Sequence, residues 1–226
     1  MNLMQLTLLE QAVFVLAALV LFLSFAMLAQ ARLLAGIHVF AWQGAVLAAA
    51  TGLVAAGGAP HLFISAALTL ALKALLIPWM LHRLVRRLEL ERHVEPLQHP
   101  ALVLMAGAGL VIFSYWVVVP IERLELVTTR NILSLSLAVV LIGLLIMVTR
   151  RQAVTQVIGF MSMENGLFLA AVAATHGMPL VVELGVAFDV LVAAVLFGVF
   201  FLHINESIES LDVDRLNRLS AREDDT

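Results

Sequence analysis

The sequence predicts an all-α fold, a polytopic membrane helix bundle of seven transmembrane helices with its N-terminus outside and its C-terminus cytoplasmic. Three observations lead there. Hydrophobic residues make up 62% of the 226 positions and charged residues 13%, with a mean hydropathy of +1.04. A soluble domain of this length has too little interior to hide so much apolar surface. The apolar residues gather into runs close to the ~20 residues that cross a bilayer, and the arginines divide unevenly between the ends of those runs.

The runs cover 5–29, 33–57, 61–81, 100–120, 131–149, 153–175 and 179–203. No Lys or Arg precedes the first, so it lacks the basic head of a cleaved leader and reads as a retained helix. Gly57-Gly58-Ala59-Pro60 turns the chain after the second run. Arg150-Arg151 and His176-Gly177-Met178-Pro179 mark the turns on either side of the sixth. The fourth run carries Tyr115 and Trp116 toward its end, residue types that favour the membrane–water interface. The longest internal polar stretch, 82–99, mixes arginines with glutamates and reads as a solvated amphipathic segment or a docking surface.

Seven spans place ten arginines on the side of the C-terminus and only Arg123 and Arg130 on the other. Positive residues accumulate on the cytoplasmic side, which gives the orientation stated above. The expected home is the cytoplasmic (inner) membrane, with the lipid bilayer as one partner and no nucleic acid among the others. The chain has no cysteine, which excludes disulfides, thiolate-held clusters and thiol catalysis. Its seven histidines lack metal-ligand spacing, and no phosphate loop or nucleophile motif is present. The sequence therefore offers no metal site and no catalytic centre.

Three ionisable residues fall near the middle of their helices: Lys73, Glu164 and Asp189. Each costs about 2.5–3.5 kcal/mol at the bilayer centre on an insertion scale, so each implies a partner or water inside the bundle. Gly185 and Ala193 share the face of Asp189 and let another helix approach it. Thr69 lies one turn before Lys73, and Pro78 removes a hydrogen bond just after it, which predicts a freed carbonyl and a kink. Glu164 and Asn165 are neighbours and point about 100° apart, so they are expected to serve two faces. Glu183, near the outer end of the last helix, is the outermost candidate. Gln43 and His38 in the second helix are supporting polar candidates.

Buried acids and amines both shift toward their neutral forms, so such groups can exchange protons near neutral pH. A row of them suits a lateral proton relay. The same residues also suit a structural ion pair, Lys73 with Glu164 or with Asp189, or a substrate site. A faint parallel repeat pairs the second and third helices with the sixth and seventh, each unit carrying two polar mid-helix residues: Gln43 and Lys73, Glu164 and Asp189.

The runs QVIGFMSMENGLFLAA and GMPLVVELGVAFDVLVAAVLFGVF, followed by SLDVDRLNRL, closely resemble the hydrogenase-4 component E family. Those proteins are membrane subunits of formate hydrogenlyase-type, group 4 nickel–iron hydrogenases. The resemblance is strongest over 150–220. More distantly, the same region is similar to the K subunit of respiratory complex I and to the C subunit of multisubunit sodium/proton antiporters. The resemblance implies three parts: a four-helix membrane region over 1–130, a K-subunit-like three-helix unit over 131–204 and a polar cytoplasmic tail over 205–226. Of the two glutamates that line the proton path in the K subunit, the second falls on Asp189. The first falls on Met161, and Glu164 lies three residues later on nearly the same face. The implied role is a subunit without cofactor that carries buried carboxylates for proton or ion translocation and scaffolds its neighbours. Its implied partners are large antiporter-like membrane subunits, a membrane anchor subunit and a peripheral nickel–iron hydrogenase arm. A redox-independent cation/proton antiporter subunit and a purely structural anchor remain open at this point.

Overall fold

The computed structural model describes residues 8–58, 60, 62–87, 99–119, 127–175, 185, 187–196 and 198. The described elements are all helical: α1 (Leu8–Ala29), α2 (Leu33–Ala56), α3 (Leu62–Arg87), α4 (Pro100–Val118), α5 (Val127–Thr149), α6 (Ala153–Thr175) and a shorter α7 (Ala187–Leu196). Among the described residues, six helices are long and apolar enough to cross a membrane. The run expected at 179–203 contains α7, and its two ends lie outside the described residues, as do the tail 205–226 and most of the polar stretch 82–99.

Two boundaries differ from the sequence reading. Helix α3 continues past residue 81 to Arg87. Leu84 and Val85 pack into the core while Arg83, Arg86 and Arg87 are exposed on the other side, so 82–87 is an amphipathic continuation of the helix. Long arginine stems can follow an apolar helix to the interface in this way. Helix α5 starts at Val127, ahead of the expected 131. The turn after α2 forms as read, with Gly58 at φ +130°, a backbone state that favours glycine.

Near Pro78, where the sequence predicts a freed carbonyl and a kink, the helix widens. Residues Leu70–Leu76 make a π-helical turn inside α3, in which the Ile77 N–H donates to the Leu72 carbonyl. The next residue, Pro78, has no N–H with which to continue either an α or a π ladder. Lys73 sits at the centre of this widened turn.

Helix α6 is the most buried span and α4 the least. Helices α5 and α6 touch through their backbones. A Cβ placed on Gly143 would lie 2.6 Å from the Met163 nitrogen and 2.8 Å from the Gly159 oxygen, so only glycine permits this approach. Two apolar clusters fill the bundle. One joins Leu28, Phe40, Ile77 and Leu81 to Ile142, Met161 and Ala193. The other joins Val20, Leu47 and Leu62 to Val139, Phe168 and Leu169. Both clusters draw on helices before and after residue 130, so the two regions share one interior. Between the clusters, at the same depth on four helices, lie Ser24, Gln43, Lys73 and Asn165, all fully or almost fully buried.

Candidate functional site

Helices α6 and α7 converge on the ammonium that Lys73 of α3 carries. Its Nζ lies 2.5 Å from Glu164 Oε2 and 3.5 Å from Asp189 Oδ1. It also donates to Asn165 Oδ1 at 2.9 Å and sits 5.5 Å from the centre of the Phe168 ring. Lys73 is 0% exposed, Asp189 2% and Glu164 6%. The two carboxylates lie within about 6 Å of each other, because both reach the same nitrogen, and at low effective dielectric that proximity is a strong repulsion unless a charge or proton intervenes.

The local folding explains the convergence. The π turn carries the Lys73 backbone against α2 at Gly44, where a Cβ would stand 2.9 Å from Lys73 Cβ and 3.0 Å from its carbonyl carbon. Glycine at 44 thus sets how deep the lysine sits. Gly185 does the same for the acid side: a Cβ there would lie 3.2 Å from Glu164 Oε1. Ala193 is buried on the same face of α7 as Asp189, and Phe188 meets Phe160 of α6 edge to face with ring centres 6.4 Å apart. The small-residue face read from the sequence is therefore the face that packs on α6.

A neutral hydrogen-bonded chain leaves the triad on its other side. Asn165 Nδ2 donates to Gln43 Oε1 at 3.0 Å. Gln43 Nε2 donates to Ser24 Oγ at 2.8 Å and to Ser162 Oγ at 3.2 Å. Ser24 donates in turn to the Val20 carbonyl at 3.1 Å. Sequence reasoning missed Ser24 and Ser162. The available signal was depth: Ser162 lies one turn before Asn165 on the same face, and Ser24 is a lone hydroxyl in the middle of an apolar span.

Five of the seven candidate residues thus meet: Lys73, Glu164, Asp189, Asn165 and Gln43. Glu164 and Asn165 were expected to serve two faces; instead both reach Lys73, because the long lysine side chain spans the angle between them, while the Asn165 amide also serves α2. Lys73 contacts both acids, Glu164 more closely. His38 is elsewhere: it is exposed, donates from Nδ1 to the Leu34 carbonyl at 2.7 Å and meets the His82 ring at 5.9 Å. Glu183 lies outside the described residues. Each unit of the faint repeat contributes its two polar residues to this one cluster. Among the described residues no group of three His, Asp or Glu side chains is arranged to hold a metal. The chemistry the arrangement can perform is proton exchange between two acids that share one cation.

Comparison with known proteins adds the following. The chain is 37% identical over 185 residues to the uncharacterized protein Rv0085 of Mycobacterium tuberculosis, which covers 81% of this chain and 84% of that protein. It is 28% identical over 161 residues to the hydrogenase-4 component E of Escherichia coli K12, covering 71% of this chain and 74% of that one. The hydrogenase-4 component E of Shigella flexneri gives the same figures, 28% over 161 residues with 71% and 74% covered. No family model matches the sequence, and no solved structure matches it.

Proposed function

Because the chain belongs to the family of the mycobacterial protein Rv0085 and is related to hydrogenase-4 component E, we propose that it is a membrane subunit of a hydrogenase-type complex and that its buried triad is a station in a lateral proton path. The observation that carries the reading is the triad itself: Lys73 in contact with both Glu164 and Asp189, all three buried between two apolar clusters. Buried ion pairs are weak sources of stability, so two acids around one cation at mid-depth call for a functional account.

In this proposal redox chemistry takes place in a peripheral nickel–iron arm. Large antiporter-like subunits and a membrane anchor subunit flank the chain. The chain spans the inner membrane seven times, with its C-terminus in the cytoplasm, the side on which ten of its twelve arginines fall. A change of charge in a neighbour shifts which acid holds the proton, and Lys73 stabilises whichever carboxylate is ionised.

The test is hydrogenase turnover and proton translocation in membranes carrying Asp189→Asn, with assembly followed on native gels. The expected result is an assembled complex whose translocation is lost and whose coupled turnover falls. Full translocation in an assembled Asp189→Asn complex would overturn the relay and leave a packing device that ties α3, α6 and α7 together.

A further inference from the structure

We infer that Asn165 and Gln43 are positioning residues that turn an amide oxygen onto Lys73 and thereby favour its ammonium form, so that the movable proton belongs to the Glu164–Asp189 pair and not to the lysine. The inference rests on the relay reading for its meaning in turnover, but on geometry for its content.

The order of donors in the amide chain follows from its far end. The Val20 carbonyl can only accept. Ser24 gives it its proton at 3.1 Å, and Gln43 Nε2 stands 3.4 Å from the same oxygen. A flipped Gln43 would set its own carbonyl oxygen against that one, acceptor against acceptor. The NH2 group of Gln43 therefore faces Ser24 and Ser162, and its Oε1 faces Asn165. Asn165 must then offer Nδ2 to Gln43, which leaves Oδ1 toward Lys73. Amide orientations are ordinarily chosen to suit a network; here each is dictated by the one before, starting from a backbone oxygen. One of the three directions around the lysine nitrogen is thereby reserved for donation.

The other two directions meet Glu164 Oε2 and Asp189 Oδ1. The Phe168 ring also favours a cation at 5.5 Å. No other charged side chain is seen to face the ammonium among the described residues. One ammonium and two carboxylates carry one negative charge in excess, and an uncompensated charge in this interior is expensive. One proton on the acid pair restores neutrality. Glu164 Oε1 is buried and without a hydrogen-bond partner among the described residues, and Asp189 Oδ1, though ion-paired with Nζ at 3.5 Å, is too far from it for a good hydrogen bond, so these are the atoms that can hold it. Two arrangements contain the same number of protons: an ammonium with one ionised and one protonated acid, or a neutral amine with both acids protonated. Moving one proton from Nζ to the ionised carboxylate interconverts them. A neutral amine could still donate to Asn165, but the amide presents its negative end to Nζ at 2.9 Å and so favours the ammonium, that is, the first arrangement.

The test is infrared spectroscopy of the purified complex in ordinary and heavy water, reading the C=O stretch of buried carboxylic acids. The wild type should show one such band assignable to this chain. Either Glu164→Gln or Asp189→Asn alone should abolish it, because a single remaining carboxylate balances the ammonium. Gln43→Leu touches neither acid, yet it frees Asn165 to turn its NH2 toward Lys73. The expected result is a doubled acid signal as the lysine gives up its proton. Gln43→Met serves if the leucine variant does not assemble. Ser24→Ala should keep a single band, since Ser162 and the Val20 carbonyl still orient Gln43.

A wild type without the band overturns the inference. So does an assembled Gln43 variant whose band stays single, or a Glu164→Gln variant that retains the Asp189 acid. These results are separable from the relay test. An unchanged Gln43 spectrum beside lost translocation in Asp189→Asn sinks the positioning role and leaves the relay. A doubled Gln43 signal beside full translocation does the reverse.

Discussion

Replacing Lys73 with methionine removes the one cation from a site that holds two acids. The side chains are similar in length, so packing is nearly kept and the loss is electrostatic. In the native site Nζ lies 2.5 Å from Glu164 and 3.5 Å from Asp189, with the lysine side chain 0% exposed and the acids 7% and 2%. Breaking a buried pair by deleting one partner costs about 3–5 kcal/mol. Asn165 Oδ1 loses its donor as well, which adds about 1–3 kcal/mol if nothing replaces it. Uptake of a second proton by the acids relieves part of the charge term, so the expected net loss is about 3–5 kcal/mol. That loss lowers the ratio of folded to unfolded chain by roughly two to four powers of ten. The assay is a reversible denaturant titration of the chain in bicelles, followed by tryptophan fluorescence. The companion is the triple variant Lys73→Met, Glu164→Gln, Asp189→Asn, which removes every charge together and should regain most of the loss. A Lys73→Met chain within about 0.5 kcal/mol of the wild type would refute the reasoning, since only a site open to solvent tolerates the change so well.

Four other perturbations have expected outcomes. Arg150 is 3% exposed and donates to the carbonyls of Leu28 and Gln30 at the end of α1; Arg150→Ala should cost about 1.5–3 kcal/mol for each such charged bond and speed hydrogen exchange in the last turn of α1. Gly143→Ala sets a Cβ 2.6 Å from a backbone nitrogen of α6; the helices must part, and the loss of about 1–3 kcal/mol or more is read from thermal unfolding in detergent. Gly44→Ala presses on the Lys73 backbone at 3.0 Å, so the lysine should withdraw from Asn165 and its side-chain 15N resonance should shift. Pro78→Ala returns a donor just after the π turn; the turn should relax toward α geometry and rotate Lys73 by up to about 100° relative to the inner end of α3, seen as a lost Lys73–Glu164 contact by NMR.

What was legible in the sequence, and what was not, follows from what each residue costs in a membrane. A charge in mid-span cannot be hidden, so Lys73, Glu164 and Asp189 announced themselves by depth alone. Their partners did not, because composition carries depth along a helix but little of the angle around it when the helix is apolar on every side. Gln43 was visible as a polar residue and ambiguous as to role. Ser24 was invisible for a further reason: a serine in a helix can satisfy itself on the carbonyl four residues back, as Ser24 does on Val20. Such a serine needs no interhelical partner and so implies none. What makes it part of the site is the lone pair left over, which accepts from Gln43.

The π turn completes the same argument from the backbone side. Pro78 showed that a hydrogen bond would be missing in α3, yet a missing bond can be absorbed by a bend, by water or by widening the helix. The choice lay with α2, whose glycine at position 44 allows the widened turn to press in until the lysine backbone is in contact. No property of α3 alone would have revealed it. Position along the chain therefore yields the inventory of a buried polar site, while glycines on neighbouring helices decide which members of that inventory meet.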